Sequence, residues 1–210
     1  MQWTVGIRRR FQAFFWFRVF STPMDCPRPP VTRAVSQPLR VRKYSELLSE
    51  FRMYNHAPEN YNCPFCLLIQ DVKNEHVHST QSDIIYRDDA VTAFIGSHQW
   101  PNNHGNVIVV PNEHFENIYD LPLRYAQDIH RTAKRLAIAM KIVYSCDGIS
   151  TRQHNEPAGS QDVWHYHLHV TPRFENDNYY GPQREFMPIV EREKHAEALK
   201  KTLTAIDLNE

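Results

Sequence analysis

The chain has 210 residues, enough for one domain of ordinary size and a tail. Its 24 Lys and Arg balance 24 Asp and Glu, so a formal charge of zero gives no electrostatic case for bulk nucleic-acid binding, and no apolar run approaches the length of a membrane span. The 4 cysteines are too few and too unevenly placed for a disulfide scaffold, and the pair Cys63 and Cys66 reads as metal or redox chemistry in a reducing, cytoplasmic compartment.

Residues 1–52 differ in composition from the remainder of the chain. Arg8, Arg9, Arg10, Arg18, Arg28, Arg33, Arg40, Arg42, Arg52 and Lys43 face only Asp25, Glu46 and Glu50, and the segment also carries Phe11, Phe14, Phe15, Trp16, Phe17 and Phe20. A basic, aromatic, acid-poor start is read as an organelle-targeting peptide, a disordered arm, or sequence upstream of a true start at Met24 or Met53. The last reading is preferred, with the domain expected over 53–210. Within the arm, Leu47, Leu48 and Phe51 give Tyr44 to Met53 a helical pattern.

After Cys63-Pro64-Phe65-Cys66 and a polar loop from Asp71 to Asp83, Ile84-Ile85-Tyr86 and Val91 to Ile95 flank Arg87-Asp88-Asp89 as a hairpin. Trp100 to Gly105 is turn chemistry, and Asn106 to Val110 is a β-branched strand stopped by Pro111. A strong helix is expected from the N-cap Asp120 to Ser145, with Tyr125, Ile129, Ala133, Leu136, Met140 and Val143 at helical spacing, His130 on its surface and Gly148 as the stop. Val163 to Thr171 alternates over nine residues as a half-buried strand, with His165, His167 and His169 on one face and Trp164, Tyr166, Leu168 and Val170 on the other. Successive histidines then stand roughly 6.6 Å apart at the backbone, so one metal ion cannot easily take all three. A second helix is expected from Glu191 to about Ile206. Antiparallel strands with a long helix packed on one face make the fold α+β.

His165-Tyr166-His167-Leu168-His169-Val170-Thr171 resembles the His-x-His-x-His-x-x signature of the histidine triad superfamily of nucleotide hydrolases and transferases. The flanks Ala158-Gly159-Ser160-Gln161-Asp162-Val163 and Pro172-Arg173 are similar as well, and the likeness runs from Cys63 to Arg173. It implies a five-stranded antiparallel sheet crossed by a helix, a homodimer, and a small-molecule nucleotide as substrate. A neutral imidazole is a good nucleophile near pH 7 because its unperturbed pKa is about 6.5. The resemblance assigns that role to His167, which would attack the α-phosphorus of a nucleotide and give a nucleotidyl-histidine that water cleaves. His169 and nearby backbone would fix its tautomer. Gln161 and backbone N–H groups would hold the phosphoryl oxygens, and Arg173 would help.

The sequence departs from the commonest family pattern in three places. Asn106 stands where many members have a fourth histidine, with His104 as a candidate substitute. Asp162 stands where Ser or Thr is usual, and a carboxylate beside a phosphate is repulsive unless a cation or proton intervenes. Gly96-Ser97 replaces the acid that binds ribose hydroxyls. Asn106, Asp162 and Arg173, with His154 and Asn155 from the Arg152-Gln153-His154-Asn155 segment, are the candidate substrate-binding residues.

Two thiolates at C-x-x-C spacing and two histidines from distant strands suit a tetrahedral structural zinc site. A zinc-bearing branch of the family takes its histidines from Pro-x-x-His and from the first triad position, which implies Zn2+ on Cys63, Cys66, His114 and His165. Rival readings stay open: a zinc hydrolase chelating through His165 and His167, a redox protein using Cys63-Pro64-Phe65-Cys66, and a non-catalytic nucleotide-binding module.

Overall fold

The computed structural model of the chain describes residues 54–207. The basic segment 1–52 and the expected helix from Tyr44 to Met53 lie outside the described residues. In chain order the elements are α1 (Pro64–Ile69), β1 (Ile84–Arg87), β2 (Val91–Ile95), β3 (His98–Gln99), β4 (Val107–Pro111), α2 (Leu123–Tyr144), β5 (Gly148–Gln153), β6 (Leu168–Arg173), β7 (Glu185–Phe186) and α3 (Ile189–Asp207).

Five strands form one antiparallel sheet in the order β1-β2-β4-β6-β5, and β3 pairs with β7 beside it. The β1–β2 turn is closed by the Asp88 carboxylate, which accepts from the amides of Ala90 at 2.8 Å and Val91 at 2.7 Å. β2 and β4 are buried along their whole length, because both faces of the sheet are covered. On one face Ala93, Ile95, Val107, Val109, Leu168 and Val170 pack against Ile129, Leu136 and Met140 of α2 and Leu199 of α3. On the other, Phe94, Ile108 and Val110 meet Phe65 and Leu68 of α1. Complete burial of a Phe, Leu or Ile is worth about 1.5–3 kcal/mol each, so these two layers dominate the stability.

α2 starts at Leu123 rather than after Asp120, because Pro122 takes the extended N-cap position at φ −64° and ψ 143°. It ends at Ser145, which adopts the left-handed conformation with φ 50°, and Gly148 opens β5 instead of stopping the helix. The Lys141 ammonium donates to the carbonyls of Cys146 and Asp147 at 2.6 and 3.0 Å, tying the last turn of the helix to the segment that leads into β5. α3 begins two residues before Glu191, just after Pro188. His130 is exposed, as its place on the helix surface requires.

The histidine strand is shorter than nine residues of alternation suggest: ladder pairing begins at Leu168, opposite Val109. Pro111 has no amide to donate to a longer ladder, its carbonyl lies 3.0 Å from the His165 ring, and the Tyr166 amide donates instead to Phe115. The alternation of faces persists from His165 onward, whereas Trp164, expected on the core face, is half-buried against His56 instead. Tyr166, Leu168 and Val170 enter the helix-side core, while the three histidines turn to the α1 side.

A histidine-lined cavity and a cysteine–histidine cluster

All three triad histidines are buried, none more than 4% exposed. His167 sits against Phe65 with ring centres 5.4 Å apart and against His169 at 5.2 Å. Its Nδ1 lies 2.7 Å from the carbonyl of His165. A carbonyl only accepts, so Nδ1 carries the proton, and in the neutral ring Nε2 keeps its lone pair. The backbone of His165, rather than His169, thus sets the tautomer. Burial holds the His169 imidazole well below its ordinary value, aided by the nearby His167, so it is neutral.

Asn106 is wholly buried behind His169. Its side-chain oxygen accepts from Thr171 Oγ1 at 2.9 Å and lies 3.3 Å from His169 Nδ1. It does not line the cavity, so substrate contact gives way to support of His169. Two features hold it there. Gly105 adopts φ +98°, and a β-carbon at that position would stand 2.6 Å from the Tyr144 ring. Gln99, which carries no motif in the sequence, is 1% exposed and accepts from the amides of Gly105 and Asn106 at 3.0 and 2.7 Å. His104 faces His195, with ring centres 6.4 Å apart, and is no substitute for a fourth triad histidine.

A cavity of about 1050 Å³ opens over His167 and His169. His154 and Asp162 line it, as do Arg152, Ser160, Trp100 and Arg184. Asp162 reaches His167: one carboxylate oxygen is 3.5 Å from His167 Nε2 and the other accepts from Arg184 at 2.6 Å. The adjacent His167 ring, which donates to this carboxylate only when it carries a second proton on Nε2, and then the Arg184 guanidinium hold this carboxyl well below the usual carboxylate range. Arg184 thus neutralises the Asp162 carboxylate at the cavity wall, and no motif in the sequence marks it.

Three other candidates are placed away from the cavity. Gln161 donates to the carbonyls of Glu116 and Val163 at 2.7 and 3.0 Å and accepts from the Glu156 amide at 2.8 Å, so its side chain fixes the turn instead of holding a phosphate. Asn155 accepts from the Ile118 amide at 2.8 Å and pairs with Gln153. Arg173 forms a two-pronged pair with Asp177 at 2.6 and 2.8 Å and donates to Ser150 at 2.8 Å. Its guanidinium lies over the Tyr179 ring, so it supports the wall without facing the site.

On the far side of α1, Cys63, Cys66, His114 and His165 bring one ligand atom each within 4.8 Å of one another. The N-cap Cys63 and Cys66 stand one turn apart on α1, whose first position is Pro64. Cys63 Sγ lies 3.3 Å and Cys66 Sγ 3.5 Å from His165 Nδ1, and Cys66 Sγ lies 3.3 Å from His114 Nδ1. A tetrahedral zinc with ordinary bond lengths separates its sulfur and nitrogen ligands by ~3.6 Å, so the four fit such an ion. The Pro111 carbonyl accepts from His165 Nε2, which leaves Nδ1 free to ligate. The contact between the sulfurs, followed by burial, pushes the Cys63 thiol up, and the same contact lowers Cys66. His165 and His167 aim their free nitrogens into different places, against a shared chelate. The thiols face two histidines on a short helix outside any βαβ unit, against a redox motif.

The HIT domain profile matches residues 77–176. An uncharacterized HIT-like protein of Borreliella burgdorferi is 31% identical over 121 residues, 57% of this chain and 81% of that protein. The adenosine 5'-monophosphoramidase of Saccharomyces cerevisiae is 33% identical over 127 residues, 60% and 72% of the two chains. Among solved structures, a zinc-bound histidine triad family protein from Mycobacterium smegmatis superposes with a TM-score of 0.59 at 23% identity, over 71% of this chain and 98% of that one. At that identity the likeness speaks for the fold.

Proposed function

The chain belongs to the histidine triad (HIT) domain family, and from that premise we propose that it is a nucleotide hydrolase or transferase acting at the α-phosphate through a nucleotidyl intermediate on His167. One observation carries the reading: His167 Nδ1–H donates to the His165 carbonyl, so in the neutral ring the Nε2 lone pair is the group presented to the cavity. Nε2 forms a bond to phosphorus. The bond from phosphorus to the leaving atom breaks with its electron pair on the leaving group, which takes up a proton from solvent where it is an amine. Water then adds to the phosphorus and gives up a proton to solvent, the N–P bond returns its pair to Nε2, and a nucleoside monophosphate departs. His169, neutral and held by Asn106, packs against the nucleophile. Phe65 and Leu68 give the cavity an apolar side on which a base can lie.

Nucleoside phosphoramidates, dinucleoside polyphosphates and related nucleotides are the substrate classes, the first supported by the activity named for the yeast relative. Zinc on Cys63, Cys66, His114 and His165 would crosslink α1 to the approach to β6. We also read the protein as a cytoplasmic homodimer. The exposed Leu123, Ile138 and Ile142 along α2 support pairing, and no helix among the described residues is long and apolar enough to cross a membrane.

The deciding experiment mixes the protein briefly with labelled adenosine 5'-phosphoramidate or diadenosine tetraphosphate and quenches in base. An adenylyl group on His167, stable in base and released by acid, is expected. Turnover without label on any histidine, ceasing on chelation, would establish metal-hydroxide hydrolysis instead. Binding without turnover of any such substrate would establish a non-catalytic module.

A further inference from the structure

Arg152 is put at the site by strand register. β5 pairs with β6 so that Arg152 lies directly opposite His169, and such partners share a face with β-carbons about 5 Å apart. Its guanidinium rests 5.7 Å from the ring centre of Trp100, 5.5 Å from that of Tyr179 and 5.6 Å from that of Tyr180. No carboxylate pairs with it among the described residues.

Arg184 reaches the same indole from the segment before β7, 5.5 Å from its centre, and donates to Asp162 at 2.6 Å. Trp100 in turn lies 6.1 Å from His169. Both guanidiniums, the indole and both catalytic-face histidines line the one cavity. This wall thus holds two cations and one carboxylate. A half-buried charge stacked on aromatic rings has lost part of its hydration, and an anion restores the balance. A guanidinium also presents a planar fork that fits phosphate oxygens two at a time.

We infer that Arg152 and Arg184 form, over Trp100, an anion subsite that receives the phosphate chain of the leaving group. The subsite favours nucleotides whose α-phosphate is followed by at least one further phosphate over those whose leaving group is an amine. Asp162 holds Arg184 in the free protein and yields it to the incoming phosphates. The assignment of the chain as a leaving group rests on the His167 reading above, whereas the anion subsite itself does not.

The test uses the full chain and has a binding arm and a turnover arm. In divalent-free buffer, calorimetry compares ATP with AMP, which differ by the two phosphates that would occupy the subsite. ATP is expected to bind the unaltered protein more tightly. Arg152→Gln and Arg184→Gln should each shrink that advantage about tenfold, and Asp162→Asn should enlarge it. In turnover, Arg152→Gln should lower the ratio of kcat/KM for diadenosine tetraphosphate to that for adenosine 5'-phosphoramidate about tenfold. Equal affinity for ATP and AMP in the unaltered protein would overturn the subsite. So would an Arg152→Gln protein that folds normally and loses both affinities, or both rates, in the same proportion, since Arg152 would then only brace the aromatic wall. Selective ATP binding through Arg152 with no turnover of either substrate would uphold the subsite and overturn the catalytic role of His167.

Discussion

Arg192 and Asp83, 109 positions apart in sequence, form an ion pair at 2.9 Å with both side chains wholly excluded from solvent. The guanidinium also donates to the carbonyls of Met187 at 3.1 Å and His78 at 3.0 Å. The Asp83 carboxylate accepts in addition from the Thr80 amide at 2.7 Å, closing a capping box before β1. The pair therefore pins α3 to the turn before β1 and to the 76–79 loop that lines the cavity.

Removing one member of a buried pair leaves the other charge uncompensated. Arg192→Met is expected to cost about 3–5 kcal/mol in urea unfolding, while the double variant Arg192→Met, Asp83→Asn should recover part of the loss. A single-variant cost below about 1 kcal/mol would mean that water reaches the site.

How much was legible in the sequence depends on how local each signal is. The alternation through Val163 to Thr171, the helical spacing of α2 and the apolar runs of β2 and β4 are each written in one stretch of chain, and the structure has them with ends shifted by Pro122, Ser145 and Pro111. β5 was not legible as a strand, because Gly148-Ile149-Ser150-Thr151-Arg152-Gln153 offers no apolar stripe and gains its order from pairing with β6. The same limit applies to the site. Cys63 and Cys66 carry their own chemistry at a known spacing, and the family resemblance added His114 and His165, so the four could be grouped before the fold was seen. Arg152 stands in the Arg152-Gln153-His154-Asn155 segment expected at the pocket, but its place opposite His169 comes from β6–β5 register, and Arg184 is an ordinary surface residue by sequence that only the return of the chain before β7 brings to the site. The reverse holds for Gln161 and Arg173: matched motif positions that spend their hydrogen bonds on the backbone and on Asp177.

Elemental analysis should find one zinc per chain, and strong chelation should lower the thermal midpoint by several degrees. Cys63→Ser and His114→Ala should each lose the metal. Structural zinc sites contribute folding free energy directly, so these variants should be less stable even where substrate binding survives. A protein with no stoichiometric metal and unchanged stability in chelator would leave the four residues as a hydrogen-bonded cluster only.

Acid should weaken the cavity wall at Asp177. The paired Arg173 holds this carboxyl well below the usual range, and the side chain of Asn103 and the amides of Phe174 and Tyr179 add to the effect. A carboxyl whose pKa is depressed by folding contributes stability that is full above its unfolded value, near pH 4, and declines as pH falls toward the folded value. Asp177→Asn should therefore lower stability at pH 7 and flatten its decline below pH 4. Equal acid slopes for the two proteins in denaturant titrations would show the pair to be energetically silent.

Residues 1–52 are expected to be dispensable for the chemistry, since every group placed around the cavity and the cysteine cluster comes from 54–207. A protein beginning at Met53 should fold with the same thermal midpoint within a few degrees and turn over nucleotide at the same rate within about twofold. Loss of either property would assign the arm a place against the domain.

His167→Ala should reduce turnover by several orders of magnitude, as loss of a nucleophile does in covalent enzymes, and binding of AMP should survive because the base and phosphate contacts lie elsewhere on the cavity wall. The variant also removes a ring packed on Phe65 and His169, so a modest stability loss of about 1–2 kcal/mol is expected and must be measured alongside the rate. His169→Gln provides the contrast. It removes a neighbour and a partner of Asn106 but leaves the Nε2 lone pair of His167 in place, since the tautomer depends on the His165 carbonyl. Its rate should fall less than that of His167→Ala, and the adenylyl group should still form on His167. His167→Gly should regain part of the lost rate with added imidazole, which restores the missing nitrogen without restoring the chain. Equal losses in His167→Ala and His169→Gln, with no rescue by imidazole, would show that the triad acts by shaping the cavity and that the attacking group is another one.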